Sequence, residues 1–549
     1  MGDNLVYAIR GSTGFSLRRG LTNSTALFED KESPKQNPCE LFAFSNAGHL
    51  FAYCDTQRTR VIEPSTGKEI LSLDLKRTKA FSFSPKDTYL FTYEQYAIYG
   101  RKTHDDQKPE PNLRVYHLKE KKHVTTLIAA KESTWQPQWS DDESICIRQQ
   151  GSELCIYKNG NLNRYEDKLA VPNLGNFALS PGNGPLYIAC YVNGHGANPA
   201  RVQVRKVGTD FPIVANKTFF KSDKAELVWN QKGTALLIKA SVDVDKSNQS
   251  YYGEQSVFMI NVVTDESFIV PLAKKGPVYS AEWNPNGKDF AVVYGFMPSK
   301  LTVYNHRGEP IFDAAEGPRN EVHYNAFGNI LLACGFGNLA KGMMEFWDIE
   351  KKKLINTIDV PNTTQFQWAP DGQHFVTATT TPRLRIDNCY RLWHYSGKLI
   401  SEFEYESPKE ELWQVMFRPM LGYNKFEVKE LTKLEKMQAG LLIKKKDASH
   451  PLNNLPAGAV RQAGAYVPPH LRGKPSAGAP DASKGKVASA VKPSMSETER
   501  KVFNLNKKLQ EIEKLKEKMA KGENLQKNQL DKINTEKQIV EELKLFKIS

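Results

Sequence analysis

Apolar and polar residues alternate in short runs along most of this chain, and the runs come in pairs separated by a tight turn. Phe81-Ser82-Phe83-Ser84-Pro85-Lys86-Asp87-Thr88-Tyr89-Leu90 is one such unit. Two others carry Trp283-Asn284-Pro285-Asn286-Gly287 and Trp368-Ala369-Pro370-Asp371-Gly372 at their turns. A two-residue period broken by Pro and by Gly or Asp predicts a β-hairpin. The large residue that closes the first strand recurs at Phe44, Phe83, Trp139, Leu179, Trp229, Trp283, Tyr324, Trp368 and Phe417, at intervals of 39 to 56 residues.

A second alternating strand follows each hairpin, as in Leu113-Arg114-Val115-Tyr116, Leu154-Cys155-Ile156-Tyr157, Leu301-Thr302-Val303-Tyr304 and Tyr390-Arg391-Leu392-Trp393. Four short strands repeated every 40 to 50 residues or so are the mark of propeller blades. The Trp-Asp dipeptide of WD repeats occurs in these strands at Trp347-Asp348 alone, so the repeat is degenerate. The expected fold is all-β: a nine-bladed WD-type β-propeller over residues 1–420. The strand around Leu5 to Arg10 is expected to pair with the last blade, which removes two open sheet edges. The extra length at residues 100–112 and 242–253 reads as surface loops. Trp139, Trp229, Trp283 and Trp368 recur at one register, which marks them as core residues rather than platforms for RNA bases.

The pattern changes after residue 420. Val428, Leu431, Leu434 and Met437 are spaced for a short helical exit over 421–438. Residues 439–496 are rich in Ala, Gly, Pro and Ser, with nine Lys or Arg against two Asp. Such a composition buries too little apolar surface to offset about 1–2 kcal/mol of backbone ordering per residue, so a disordered basic linker is expected. Within it, Tyr466-Val467-Pro468-Pro469-His470-Leu471-Arg472 displays an aromatic and a cation on an extended, preorganised stretch. Residues 497–549 read as an amphipathic C-terminal α-helical segment, one helix or a pair broken at Gly522. Ser496 and Glu499 form its capping box, and Leu505, Leu509, Ile512 and Leu515 its narrow apolar seam. That seam calls for a partner: a second copy, another protein or RNA.

Charge sharpens the division. The chain holds 75 Lys and Arg against 62 Asp and Glu, a net of +13. Residues 1–420 carry 49 against 47, and residues 421–549 carry 26 against 15. A flexible cationic segment is suited to a polyanion, because each neutralised phosphate releases counterions and sequence is hardly read.

Several classes are excluded. No apolar run is long enough to span a membrane, and the start lacks the basic and apolar regions of a secretory signal. The seven cysteines are scattered without a C-x-x-C pair and read as reduced core thiols of a cytosolic protein. No phosphate loop, H-E-x-x-H helix, EF-hand or G-x-S-x-G elbow is present, and no His pair has metal-ligand spacing. No catalytic residue, metal or cofactor is therefore expected.

A degenerate nine-unit propeller, a basic Pro/Gly linker with Tyr-x-Pro-Pro-x-x-Arg and a charged helical end, in that order, resemble the eukaryotic translation initiation factor 2A family. The resemblance covers the whole chain. It implies a cytoplasmic factor that associates with the small ribosomal subunit and binds initiator methionyl-tRNA and mRNA without GTP. It further implies a contact with translation initiation factor 5B, and neither a membrane nor DNA as partner. Lys444, Lys445, Lys446, Arg461, Tyr466, Arg472 and Lys474 match the family's basic region and become candidate RNA contacts. Leu505, Leu509, Ile512 and Leu515 match its helical end. The b subunit of translation initiation factor 3 shares the propeller but carries an RNA-recognition motif ahead of it, where blade-like strands begin here at Leu5. The competing reading is a WD-type interaction scaffold outside translation.

Overall fold

Eight of the nine predicted hairpins form, each as two adjacent strands at one edge of a four-stranded antiparallel sheet. The computed structural model describes residues 2–439 apart from 30–37, 56, 100–107, 197, 220–221, 243–254, 338–341, 406, 408 and 438, together with residue 512. Two units divide the chain, Met1–Ala457 and Gly458–Ser549. Blades 1 to 4 occupy residues 41–73, 78–127, 138–170 and 174–219; blades 5 to 8 occupy 224–269, 278–317, 321–359 and 365–404.

The ninth copy departs from the hairpin pattern. Leu412–Phe417 ends the propeller sequence, and its partner is Val6–Gly11, paired antiparallel from Tyr7 opposite Phe417 to Arg10 opposite Gln414. Gly14–Arg19 and Thr25–Glu29 complete that sheet. The expected N-terminal closure is thus present, but three N-terminal strands supply it rather than one. Gly11 must be glycine here, because a Cβ would lie 2.3 Å from Glu411 O.

The core is a series of slabs between neighbouring blades. Alternation sends successive side chains to opposite faces of each sheet, and both faces of an inner strand meet a neighbour. Met259, Phe290, Val292 and Tyr304 fill the slab between blades 5 and 6. The recurring tryptophans lie at these junctions: Trp283 is buried, and Trp139, Trp229 and Trp368 are half-buried against core clusters. All seven cysteines are buried and free. Burial pushes the Cys39 and Cys190 thiols up to about 12. The first long insertion carries a short ribbon, Ile98–Tyr99 paired with Lys108–Pro109; the second lies largely outside the described residues.

The helical exit over 421–438 is corrected. The chain is non-helical through Thr432, and helix begins at Lys433. Val428 is buried and Phe426 half-buried in a non-helical strap, so spacing that suits a helix is used by a segment whose backbone finds partners on the propeller. The helix start carries a capping box: Thr432 Oγ1 accepts from Glu435 N at 3.3 Å, and Glu435 Oε2 accepts from Thr432 N at 2.8 Å.

Candidate functional site

The first-to-second-strand turns converge on one end of the propeller and form a collar. Each turn opens with a small residue just after the large one, and in most blades it is a buried Ser or Asn: Ser45, Ser84, Ser140, Ser180, Asn230, Asn284 and Asn325. Its side-chain oxygen accepts the N–H of the returning strand in Ser84 (from Tyr89, 2.9 Å), Ser180 (from Tyr187, 2.8 Å) and Asn230 (from Ala235, 3.1 Å). The asparagines also reach across blades. Asn230, Asn284 and Asn325 donate to Gly287 O, Gly328 O and Gly372 O at 3.1, 3.0 and 2.9 Å. Where Asp87 and Glu143 stand at the left-handed position of the turn, with φ of 61° and 62°, their carboxylates accept from Asn46 N and Lys86 N of the preceding blade.

The strap after the last blade lies on this collar end, over blades 7 and 8. Asn329 donates to Phe426 O at 2.8 Å, Lys351 donates to Val428 O at 3.2 Å, and Lys429 N donates to the Tyr395 hydroxyl at 3.2 Å. Phe426 stacks on Tyr395 with ring centres 5.6 Å apart, and Ala439 is buried by Gly397. The start of the basic tail is therefore seated beside blade 8. Beneath it, Asp371 Oδ2 and His374 Nδ1 lie 2.5 Å apart, and the His374 and His394 rings meet edge to face at 5.3 Å. Burial pulls His394 down to about 4, helped by His374. For Asp371 burial acts upward, but the hydrogen bond and charge of His374 outweigh it and leave the carboxyl below its ordinary value.

One titratable cluster escaped the sequence motifs. Glu321 pairs directly with Cys334 across two strands of blade 7, and His323 is two residues along on the same face. Their ligand atoms all lie within 4.8 Å of one another. His323 also approaches Glu282 of blade 6 at 3.7 Å and stacks on Phe366 of blade 8. These donors are of the types zinc takes, but burial pushes the Cys334 thiol well up, so metal entry has to displace a firmly held proton. Burial likewise raises Glu282, against the pull of His323. Only the antiparallel register, invisible to linear spacing, brings these groups together.

At the opposite end, the loop between the second and third strands of blade 8 has a locked base. Thr381 Oγ1 donates to Asn388 Oδ1 at 3.0 Å, Asn388 Nδ2 donates to Leu384 O at 2.8 Å, and Leu412 N donates to Asn388 Oδ1 at 2.9 Å. Its tip exposes Arg383, Arg385 and Ile386.

Comparison with known proteins gives this geometry its context. A family described as "Eukaryotic translation initiation factor eIF2A" matches residues 217–415, and its C-terminal domain matches residues 500–545. The chain is 58% identical to the eukaryotic translation initiation factor 2A of Caenorhabditis elegans, covering 99% of each chain. The chain belongs to the eukaryotic translation initiation factor 2A family. It is a translation initiation factor, built on a nine-bladed propeller. The Drosophila melanogaster member is 33% identical over 92% of each chain. A crystal structure titled as that of the eukaryotic initiation factor is 28% identical, covers 76% of this chain and 99% of its own, and superposes with a TM-score of 0.68.

Of the family's candidate residues, Ile512 is helical and buried. Lys444, Lys445, Lys446, Arg461, Tyr466, Arg472, Lys474, Leu505, Leu509 and Leu515 lie outside the described residues. Among the described residues no helix is long and apolar enough to cross a membrane.

Proposed function

We propose that this chain works in the cytoplasm by associating with the small ribosomal subunit and binding initiator methionyl-tRNA and mRNA without GTP. The observation that carries the reading is the division of charge. Residues 1–420 hold 49 cations against 47 anions, and residues 421–549 hold 26 against 15. In this reading the near-neutral propeller docks by shape, and the tail contributes the attraction for phosphate. Lys444, Lys445, Lys446, Arg461, Arg472 and Lys474 contact the RNA backbone, and Tyr466 stacks on a base. The seam of Leu505, Leu509, Ile512 and Leu515 packs on a protein partner, for which translation initiation factor 5B is the candidate. The absence of a phosphate loop in the sequence accords with GTP independence.

Deleting residues 439–549 tests this. The truncated chain is expected to keep the near-ultraviolet circular dichroism of the propeller while losing salt-sensitive binding to initiator tRNA and co-sedimentation with small subunits. The slope of log K against log salt should flatten by about 0.7 for each lost contact to single-stranded phosphate. Unchanged affinity and slope after the deletion would overturn the proposal.

A further inference from the structure

A carboxylate, an imidazole and a thiol meet on one face of blade 7. The register sets Glu321 opposite Cys334, and His323 follows Glu321 by two residues, so all three side chains leave the same face of the sheet. His323 Nε2 and Glu321 Oε2 are 3.3 Å apart, and one donor atom from each of Glu321, His323 and Cys334 falls within 4.8 Å of the other two. Ligand atoms bound to one tetrahedral zinc at about 2.0–2.3 Å stand roughly 3.3–3.7 Å from each other. The first pair already has that spacing, and a side-chain shift of at most about 1 Å brings in the sulfur, on a backbone that the strand ladder holds still.

Two observations independent of that convergence point to a cation. Glu282 and Glu321 flank the His323 ring at 3.7 and 3.3 Å, and among the described residues neither carboxylate is paired with a lysine or arginine. Two anions thus close on an imidazole with no permanent positive charge between them. The ring is also oriented as zinc-bound histidines are. Glu282 Oε2 stands on its Nδ1 side, Glu282 Oε1 accepts from Tyr324 N at 3.0 Å, and Phe366 stacks on the ring at 5.2 Å. A carboxylate at one ring nitrogen fixes the tautomer that presents the other to a metal. Access follows from exposure: the Glu321 and His323 side chains are 40% and 34% exposed, whereas Cys334 is the buried floor. An ion enters past the two open ligands and meets the sulfur last. The thiol gives up little there, because its contact with Glu321 O is long, at 3.8 Å.

We propose that Glu321, His323 and Cys334 bind a zinc ion, with Glu282 orienting His323. The thiolate selects zinc over magnesium and calcium, which take oxygen ligands. Binding releases the thiol proton to solvent, and a water molecule completes the tetrahedron on the open side.

The test titrates the untagged full-length chain, stripped with a chelator and kept reduced, with cobalt(II) as a coloured stand-in and then with zinc(II). One equivalent of cobalt is expected to give thiolate-to-cobalt charge-transfer absorption in the near ultraviolet and the intense visible bands of a four-coordinate ion. Zinc should bleach both. Cys334→Ser should abolish the charge-transfer band, whereas Cys190→Ser, which removes a buried thiol from blade 4, should leave it intact. Glu282→Gln should keep the band and weaken zinc binding about tenfold, the loss expected when a histidine's orienting carboxylate goes. Glu321→Gln removes a direct ligand and should weaken zinc by more than about tenfold. Its side chain is partly exposed, so it keeps the test decisive if Cys334→Ser does not fold. No band at saturating cobalt, a charge-transfer band that outlasts Cys334→Ser, or a zinc affinity that Glu321→Gln leaves unchanged would each overturn the proposal.

Discussion

At the scale of single residues, the collar depends on side chains that serve two blades at once. Asn284 Oδ1 accepts from Asn286 N within its own turn, while Nδ2 donates to Gly328 O of the next blade. Gly328 has φ of 68°, and a Cβ there would sit 1.9 Å from Asn284 Oδ1. Asn284→Ala should cost about 1–3 kcal/mol, since it leaves a buried carbonyl without its donor. Gly328→Ala should cost at least as much through backbone strain. Because the two share one contact, the double variant should fall short of the sum, which denaturant titration of all three would show. The buried pair of Arg319 and Glu345 makes a second case. Two bonds of 2.6 and 3.0 Å join them, and Trp347 Nε1 adds a third to the carboxylate at 3.1 Å. Glu345→Ala should cost about 3–5 kcal/mol by stranding the guanidinium, and adding Arg319→Met should restore most of it. Failure of the second substitution to rescue would show that packing, not charge, sets the loss.

At the scale of elements, the hairpins were legible because a first strand that buries alternate residues, as in Leu41–Phe44 and Glu321–Tyr324, is joined by a tight turn to a second strand buried throughout, as in Phe51–Cys54 and Ile330–Gly335, and that pairing survives even where the motif has decayed. The collar was not legible. The large residue before each turn is what recurs along the chain, whereas the residue after it is Ser in blades 1 to 4, Asn in blades 5 to 7 and Ala in blade 8, and shows its purpose only once blades are neighbours. The strap was misread for a related reason: Val428, Leu431, Leu434 and Met437 fit a helical stripe, but Tyr395, Asn329 and Lys351 satisfy the backbone of an extended chain up to the Thr432 cap. The candidate RNA contacts came from composition and resemblance, which place no atoms. The bed under the strap makes a prediction in pH. With His394 held at about 4 against its ordinary 6.5, the unfolded chain binds more protons than the folded one between those values. Stability therefore falls as pH drops through that window, by about 2 kcal/mol between pH 7 and pH 5. Asp371, below its ordinary value, weakens the fold only in stronger acid. Urea titrations at the two pH values should show this loss, and His394→Asn should remove most of it.

At the scale of the whole molecule, closure turns nine marginal sheets into one structure. Each slab of core lies between two blades, so a blade with one neighbour leaves apolar surface in water, and the ends of an open ring would expose two such faces. The ladder between Val6–Gly11 and Leu412–Phe417 is what prevents this, joining residues some four hundred positions apart. Leu5, Tyr7 and Ile9 add apolar contact on one face, packed with Tyr390, Leu392, Val415 and Phe417. On the other face, Ala8 and Leu17 join Phe42, Phe51 and Tyr53 of blade 1. Removing residues 1–29 deletes three of the ninth blade's four strands and exposes both slabs together with the open edge of Leu412–Phe417. Loss of a single contact would lower stability by an increment; loss of the closure should instead abolish cooperative unfolding and drive aggregation through the bare edge. The truncated chain is expected to elute in the void volume on size exclusion and to melt broadly by calorimetry. Supplying residues 1–29 as a separate peptide should restore a monomer in part, because the ladder and both slabs re-form without chain continuity. A soluble truncated monomer with an unchanged sharp melt would show that eight blades hold their ring without the N-terminal strands.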